Sequence, residues 1–331
     1  MITTDDVDRA IIGQLQVNGR SSWTEIADHV GLSVPSVARR GQNLLAGGAV
    51  KIGVMPTYHG QSAGQLKDIR VVCSPGTQLD VAATLVDVPD LRFLALTTGR
   101  FDLIGELAYP ADVGEQVRVI HAIQQIPGVQ HCITNPHVHT YKSSQRWLRQ
   151  TLGDRIPDAS PEPPSCDISH VDDTDRRIAD AMRGDARLSI RALAERLNLN
   201  ESTVGRRFEA MLEHGCLQII TLVSATAVGY EAEVLLDVSV KPPQIAEVAE
   251  QLAQHDGVRY IAASLSSPTL FCEMILPNAD MVHTFLSQHL ASMPGVRTWE
   301  AASELLTFKR GFIETPWWRT TLARQGDTEV N

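Results

Sequence analysis

The chain has 331 residues, 43% hydrophobic and 21% charged, with 39 acidic against 29 basic side chains and a net charge of −10. That balance is ordinary for a globular protein long enough for two or more domains. It excludes a surface coated in positive charge, although a few arginines on one helix can still supply a nucleic-acid contact. No apolar run approaches the roughly 18 residues of a membrane span, and the acidic start MITTDDVDRA shows no secretory signal. The five widely spaced cysteines predict reduced thiols in a cytoplasm rather than a disulfide frame.

In chain order, Thr4 is placed to cap a first helix that carries Asp5, Asp6 and Asp8 in its first turn and Val7, Ile11 and Leu15 on one face. A second helix follows Ser22, with Ile26, Ala27 and Val30 inward and Gly31 at the turn after it. Ser33 is the expected cap of a third, with Pro35 tolerated in its first turn. Val37, Leu44 and Leu45 pack that third helix, which leaves Ser36, Arg39 and Arg40 for solvent or DNA. A short helix, a sharp turn and a helix with a polar N-terminal face and arginines is the pattern of a helix-turn-helix reader of the major groove. Gly41 inside the third helix costs about 1 kcal/mol relative to Ala, which predicts a weaker or altered reader. Gly47 and Gly48 end the helix, and Val50, Ile52 and Val54 begin a strand.

Beyond residue 60 the period changes. Residues 69–73, 91–98, 103–108 and 129–141 read as strands, and 79–86 and 113–126 as helices, the latter with Val117, Ile120 and Ile123 inward. The order βαββαβ is the ferredoxin-like split unit, a four-stranded sheet with two helices on one face. Its other face still carries apolar residues and needs a partner.

Sliding the chain on itself supplies that partner. At an offset of 167, Asp5–Arg9 falls on DDTDR at 172–176, Arg39 and Arg40 on Arg206 and Arg207, Pro127-Gly128-Val129 on Pro294-Gly295-Val296, and Lys142 on Lys309. One unbroken register over about 140 residues means two copies of one two-domain unit. The fold class is therefore α+β in tandem repeat: helix-turn-helix domains at 1–55 and 170–222, and βαββαβ domains at 65–146 and 229–315 that pair sheet to sheet. A proline-rich linker spans 147–169. The C-terminal tail at 316–331, whose Trp317 and Trp318 follow Phe312, reads as a packed terminus or an inter-chain contact. The second reading helix offers Ser202, Thr203, Arg206 and Arg207.

The motifs D-x-x-D-R, then G-L-S-x-x-x-V-x-R-R, then a βαββαβ domain, resemble the leucine-responsive/AsnC (Lrp/AsnC) family of transcription regulators. The resemblance covers both halves and implies winged-type helix-turn-helix domains followed by RAM-like sensor domains. Ser33, Ser36, Arg39 and Arg40, with their counterparts in the second copy, would then face operator DNA. It also implies a small effector such as an amino acid, homo-oligomers formed through the sensor domains, and no cofactor, catalytic residue or membrane. The family's effector turn, G-x-[YF]-D, stands here once, as Gly99-Arg100-Phe101-Asp102. At the matched positions the second copy has Ser266, Ser267, Pro268 and Thr269. Gly permits close approach of backbone to ligand, and an Asp can meet an ammonium group. Thr134 matches a further position beside the effector.

Two other chemistries compete. His137 and His139 share a strand face by the two-residue period, with His131 and Cys132 close by, an arrangement open to a metal, though Pro136 interrupts it. Enzymes that decarboxylate sirohaem are similar in their tandem helix-turn-helix and βαββαβ units, and they use histidines and arginines on porphyrin carboxylates. His59, His131 and His139 are the residues that would serve that reading, whereas the retained Arg-Arg pairs favour the regulator.

Overall fold

The computed structural model describes residues 4–57, 66–108, 112–144, 147–148, 166, 169, 171–319 and 322. The first three helices are α1 (Asp6–Val17), α2 (Trp23–Val30) and α3 (Val34–Ala46). Asp5, not Thr4, caps α1: its carboxylate accepts the Asp8 N–H at 2.8 Å, and the Asp8 carboxylate accepts the Asp5 N–H at 3.3 Å. This capping box satisfies two helix-end donors at once. The Thr4 hydroxyl instead donates to the Ala227 carbonyl. Ser33 occupies the cap position of α3 but makes no cap hydrogen bond.

The second copy builds α6 (Asp173–Met182), α7 (Ile190–Leu197) and α8 (Glu201–Glu213). Asp172 and Asp175 repeat the capping box, and Asn198 takes the left-handed turn that Gly31 takes in the first copy. Here Asn200 caps the third helix.

The expected wings do not form among the described residues. Strand β1 (Val50–Pro56) crosses to the other copy and pairs antiparallel with β6 (Leu217–Val223), from Val50↔Val223 to Pro56↔Leu217. Both strands are apolar, so pairing them buries two edges that separate wings would leave open. One core results, in which Ile11, Leu15, Val37 and Leu44 join Ile178, Met182, Val204 and Phe208.

The rest of the chain forms a closed barrel. The first half supplies β2 (Leu66–Cys73), β3 (Leu91–Thr97), β4 (Leu103–Ala108) and β5 (Val129–Ser143); the second supplies β7 (Ala232–Val240), β8 (Val258–Ser264), β9 (Leu270–Leu276) and β10 (Val296–Arg310). Around the ring the order is β10-β3-β4-β2-β5-β8-β9-β7, closed by β7 on β10. The two 15-residue strands make the closure: β5 pairs first with β2 and then with β8, and β10 first with β7 and then with β3. Sheet-to-sheet pairing thus takes the form of an eight-stranded barrel with no free edge.

Helices α4 (Gln78–Val86) and α5 (Val113–Gln124) cover the first half from outside, and α9 (Ile245–Ala253) and α10 (Ala279–Thr284) cover the second. The halves clasp reciprocally. Lys142 donates to the Ala253 and His255 carbonyls at the end of α9, and Lys309 donates to those of Val86 and Val88 at the end of α4. A lysine there meets the orphan carbonyls of a helix C-terminus.

Three further expectations are corrected. Val117 faces solvent, 59% exposed, and only Ile123 of the three inward candidates is fully buried, because α5 lies on the sheet through its C-terminal half. Cys166 and Cys216 form a disulfide, where reduced thiols were expected. Their 50-residue separation carries no pairing signal in the sequence. His137 and His139 do not share a face: a bulge in the β5–β8 register separates them, His137 pointing into the barrel and His139 out. The aromatic tail is packed, Trp318 against Phe308 and Trp317 against Ile220 and Ile313. No helix among the described residues is long and apolar enough to cross a membrane. His59 lies outside the described residues, as does most of the linker.

Candidate nucleic-acid interface and barrel interior

The two reading helices are presented alike. Ser33 and Arg39 on α3, and Ser202 and Arg206 on α8, are exposed, with Ser36 and Thr203 half-buried beside them. The second arginine of each pair departs from expectation. Arg40 turns back onto α1, its guanidinium 2.8 Å from both Asp5 and Asp8, and Arg207 meets Asp172 and Asp175 at 2.8 and 2.9 Å. One helical step of 100° separates the two arginines of each pair, and here it turns the second toward the acidic cap of the first helix. The Asp8 and Asp5 carboxylates hold the Arg40 guanidinium above its ordinary pKa, and Asp175 and Asp172 do the same for Arg207. The repeated D-x-x-D boxes held this information in the sequence, since the charge they need lies 35 and 32 residues on in both copies.

Gly41 is a seat rather than a defect. A Cβ built there would lie 2.3 and 2.4 Å from two ring atoms of Trp23. The second copy exchanges the volumes, with Ile190 in place of Trp23 and Phe208 in place of Gly41. The outward residues differ more. Beyond its serines and Arg39, α3 shows Gln42 and Asn43, whereas α8 shows Glu201, Glu209 and Glu213.

The two helix-turn-helix units are fixed to each other by a two-fold clasp. The Arg20 guanidinium donates to the Ala186 carbonyl at 2.6 Å and more weakly to that of Leu188; Arg187 donates to Gly19 at 2.7 Å and Ser21 at 3.1 Å. Arg187 lies over the Trp23 ring at 4.4 Å and Arg20 over Phe208 at 5.3 Å, each stacking on the aromatic of the other copy.

At the turn between β3 and β4, Gly99 has φ +93 and Arg100 lies over Phe101. The Asp102 carboxylate accepts the Cys73 N–H at 2.7 Å and a longer contact from Gln78 at 3.4 Å. It thereby ties the turn to the end of β2. In the second copy the Val240 N–H, the counterpart of Cys73, donates to the Thr269 hydroxyl at 2.9 Å. The backbone bonds match as well, Asp102 N–H to Val71 and Thr269 N–H to Val238. What reads as loss of a motif is one turn held by two different acceptors. Thr134 pairs with Ile69, whose side chain belongs to the layer beneath the helices, so it shares that outer side.

The barrel interior was missed. Around Phe93, Tyr260 and Phe271 lies a network of buried charge: Arg92 with Glu106, Arg259 with Glu273, Arg310 with Glu273 and Glu304, and Arg70 with Asp68 and Asp237. Tyr260 donates to Glu106 at 2.5 Å, and His137 Nδ1 lies 3.1 Å from the Tyr260 hydroxyl. Burial pushes the Glu106 carboxyl up, but Arg92 and His137 outweigh it and hold the group down at about 2. At the acid-rich end, burial and the Glu304 carboxylate push Glu233 up to about 8. Between the halves is a narrow recess of ≈ 30 Å³, bordered by Arg92, Arg259, Arg310, Tyr260 and Phe271. Among the described residues no group of three metal-ligating side chains occurs. His131 and His139 are exposed, the latter edge-on to Tyr141.

Comparison with known proteins places this geometry. The AsnC-type helix-turn-helix domain matches residues 5–45 and again 171–212, and the dimeric alpha+beta barrel domain named for the C-terminus of PF0864 matches 223–311. The chain belongs to the Lrp/AsnC family. It is a tandem member, with two helix-turn-helix regions and a barrel assembled from two α+β halves. Its relatives include an uncharacterised HTH-type transcriptional regulator of Pyrococcus furiosus, 28% identical over 133 residues that make up 40% of this chain and 90% of the relative. The HTH-type regulator LrpA of Pyrococcus abyssi is 25% identical over 127 residues, 38% of this chain and 90% of LrpA. Among solved structures, the siroheme decarboxylase NirDL is similar along its whole length, with TM-score 0.59, 16% identity, and 96% of this chain and 99% of NirDL covered. At that identity the likeness is one of fold.

Proposed function

We propose that this Lrp/AsnC chain is a cytoplasmic, sequence-specific DNA-binding transcription regulator that reads its operator with two helices carried in one molecule. The carrying observation is the paired presentation of α3 and α8. Both polar N-terminal faces point outward, each with one arginine, Arg39 or Arg206, that has no partner among the described residues. Residues near each helix N-terminus reach base edges, and the arginines reach guanines or phosphates. Because Glu201, Glu209 and Glu213 stand in the second copy where the first has Val34, Gln42 and Ala46, the two half-sites are unequal and the first helix dominates affinity. A small effector, with an amino acid as the leading class, binds the sensor domains, where the Gly99–Asp102 turn and Thr134 match the family's effector positions. Sensor-domain faces such as α5, with Val113 and Val117 exposed, serve homo-oligomerisation.

The test is binding to DNA from upstream of the protein's own gene, titrated against salt. Arg39→Ala/Arg206→Ala is expected to abolish specific binding and to reduce the log–log salt slope by about 2 where the arginines meet phosphates. Arg40→Ala/Arg207→Ala is expected to lower thermal stability and to weaken binding far less. Equal effects of the two double variants would refute the assignment of the outward arginines.

The full-length likeness to NirDL supports a second reading, a sirohaem-decarboxylase-like enzyme. Absence of specific DNA binding in a protein that takes up a porphyrin would decide for it.

A further inference from the structure

The helix-turn-helix clasp and the barrel treat their shared two-fold axis differently. In the clasp, Arg20 bonds residues 186 and 188 while Arg187 bonds 19 and 21. Each contact is the other displaced by 167, so this interface is self-complementary and would serve two identical copies equally well. In the barrel, β2 and β7 lie opposite each other in the ring, and the residues that meet across the centre are Arg70 and Asp237. These are the same position of the repeat. The guanidinium grips the carboxylate with both terminal nitrogens, one at 2.8 Å, while Asp68 takes Nε at 2.5 Å and the Phe101 and Phe271 rings flank the group. Two first halves brought together would set Arg70 against Arg70; two second halves would set Asp237 against Asp237. Like charges buried face to face are strongly unfavourable.

The β1–β6 ribbon repeats the lesson in volume. Gly53 pairs with Ile220, again the same repeat position, and a Cβ on Gly53 would lie 2.2 Å from the Arg183 carbonyl.

We infer that the two half-barrels are keyed to each other by charge, so that each interior face fits the other half of the chain and rejects a second copy of itself. A mispaired assembly of like halves, the ordinary hazard of a duplicated unit, is excluded at the barrel and the β1–β6 ribbon rather than at the Arg20 and Arg187 clasp.

The experiment uses full-length chains and reads melting temperature. One variant, Asp237→Arg, places two arginines face to face. A second, Arg70→Asp with Asp68→Asn, places two aspartates there without an added neighbouring charge. Each is expected to melt several degrees below wild type or to aggregate, and the chain carrying all three changes is expected to recover most of the loss. Co-expressed chains of the first and second kind satisfy both pairs only by exchanging halves, and are expected to melt close to the triple variant. A wild-type melting temperature for Asp237→Arg would overturn the inference. So would a triple variant no more stable than the worse of its parents.

Discussion

Asp102 offers the most discriminating perturbation, because two roles for it predict different orders of the same three proteins. The carboxylate accepts the Cys73 N–H at 2.7 Å, and Cys73 is 5% exposed, so Asp102→Ala leaves a nearly buried donor without an acceptor. That omission costs about 2 kcal/mol. For a domain of this size it lowers the melting temperature by roughly 4 to 8 °C. Asp102→Thr installs the residue that holds the equivalent N–H in the second copy, where Thr269 accepts from Val240 at 2.9 Å. It is expected to recover most of the lost stability. The assay is a thermal melt of all three proteins, alone and with a panel of amino acids. If Asp102 fastens the turn, the threonine variant keeps both the stability and any ligand-induced shift of the wild type. A threonine variant that is as stable as wild type yet has lost a ligand shift would refute the structural role and return Asp102 to the ligand. A threonine variant that melts with the alanine variant would refute the equivalence of the two turns.

Two further expectations follow from buried groups. Gly→Ala within a helix ordinarily gains about 1 kcal/mol, but at Gly41 the new methyl collides with Trp23 and overpacking costs about 1 to 3 kcal/mol. Urea midpoints are therefore expected to fall for Gly41→Ala and to rise for the same change made in Trp23→Ile; a gain in the wild-type background would show that Trp23 has room to move. Glu233, raised from 4.5 to about 8 and facing Glu304, Glu273, Arg259 and Arg310, retains in the fold a proton that the unfolded chain has lost. Stability should therefore fall as pH rises from about 4.5 to about 8 and level off above that. Glu233→Gln should flatten that slope, and an unchanged slope would locate the proton elsewhere.

Much of this architecture was legible because the sequence states it twice. The 167-residue offset turned weak periodicities into paired evidence, and the strand expected at 103–108 spans those same residues. Function-bearing details were less legible, for reasons that can be named. Arg70, Arg92, Glu106 and Glu273 alternate with apolar neighbours, and in an open sheet covered on one side they would face water. Closing the sheet turns that face into an interior, a change that no local pattern records. Arg39 and Arg40 are equivalent in composition, and only the helical step together with the Asp5 and Asp8 box tells them apart. The bulge between His137 and His139 and the bond between Cys166 and Cys216 are set by partners 124 to 127 and 50 residues away.

The crossed ribbon of β1 and β6, with the Arg20 and Arg187 clasps, also bears on dose. A reader assembled from two separate chains falls apart on dilution, so its response mixes occupancy with assembly. Here the second helix is supplied at an effective concentration set by the fold itself. The pair remains intact at any number of molecules per cell, and its titration should follow a single-site curve down to the lowest protein levels. Because each helix is encoded once, a substitution in one alters a single half of the contact, which leaves the two halves free to diverge independently.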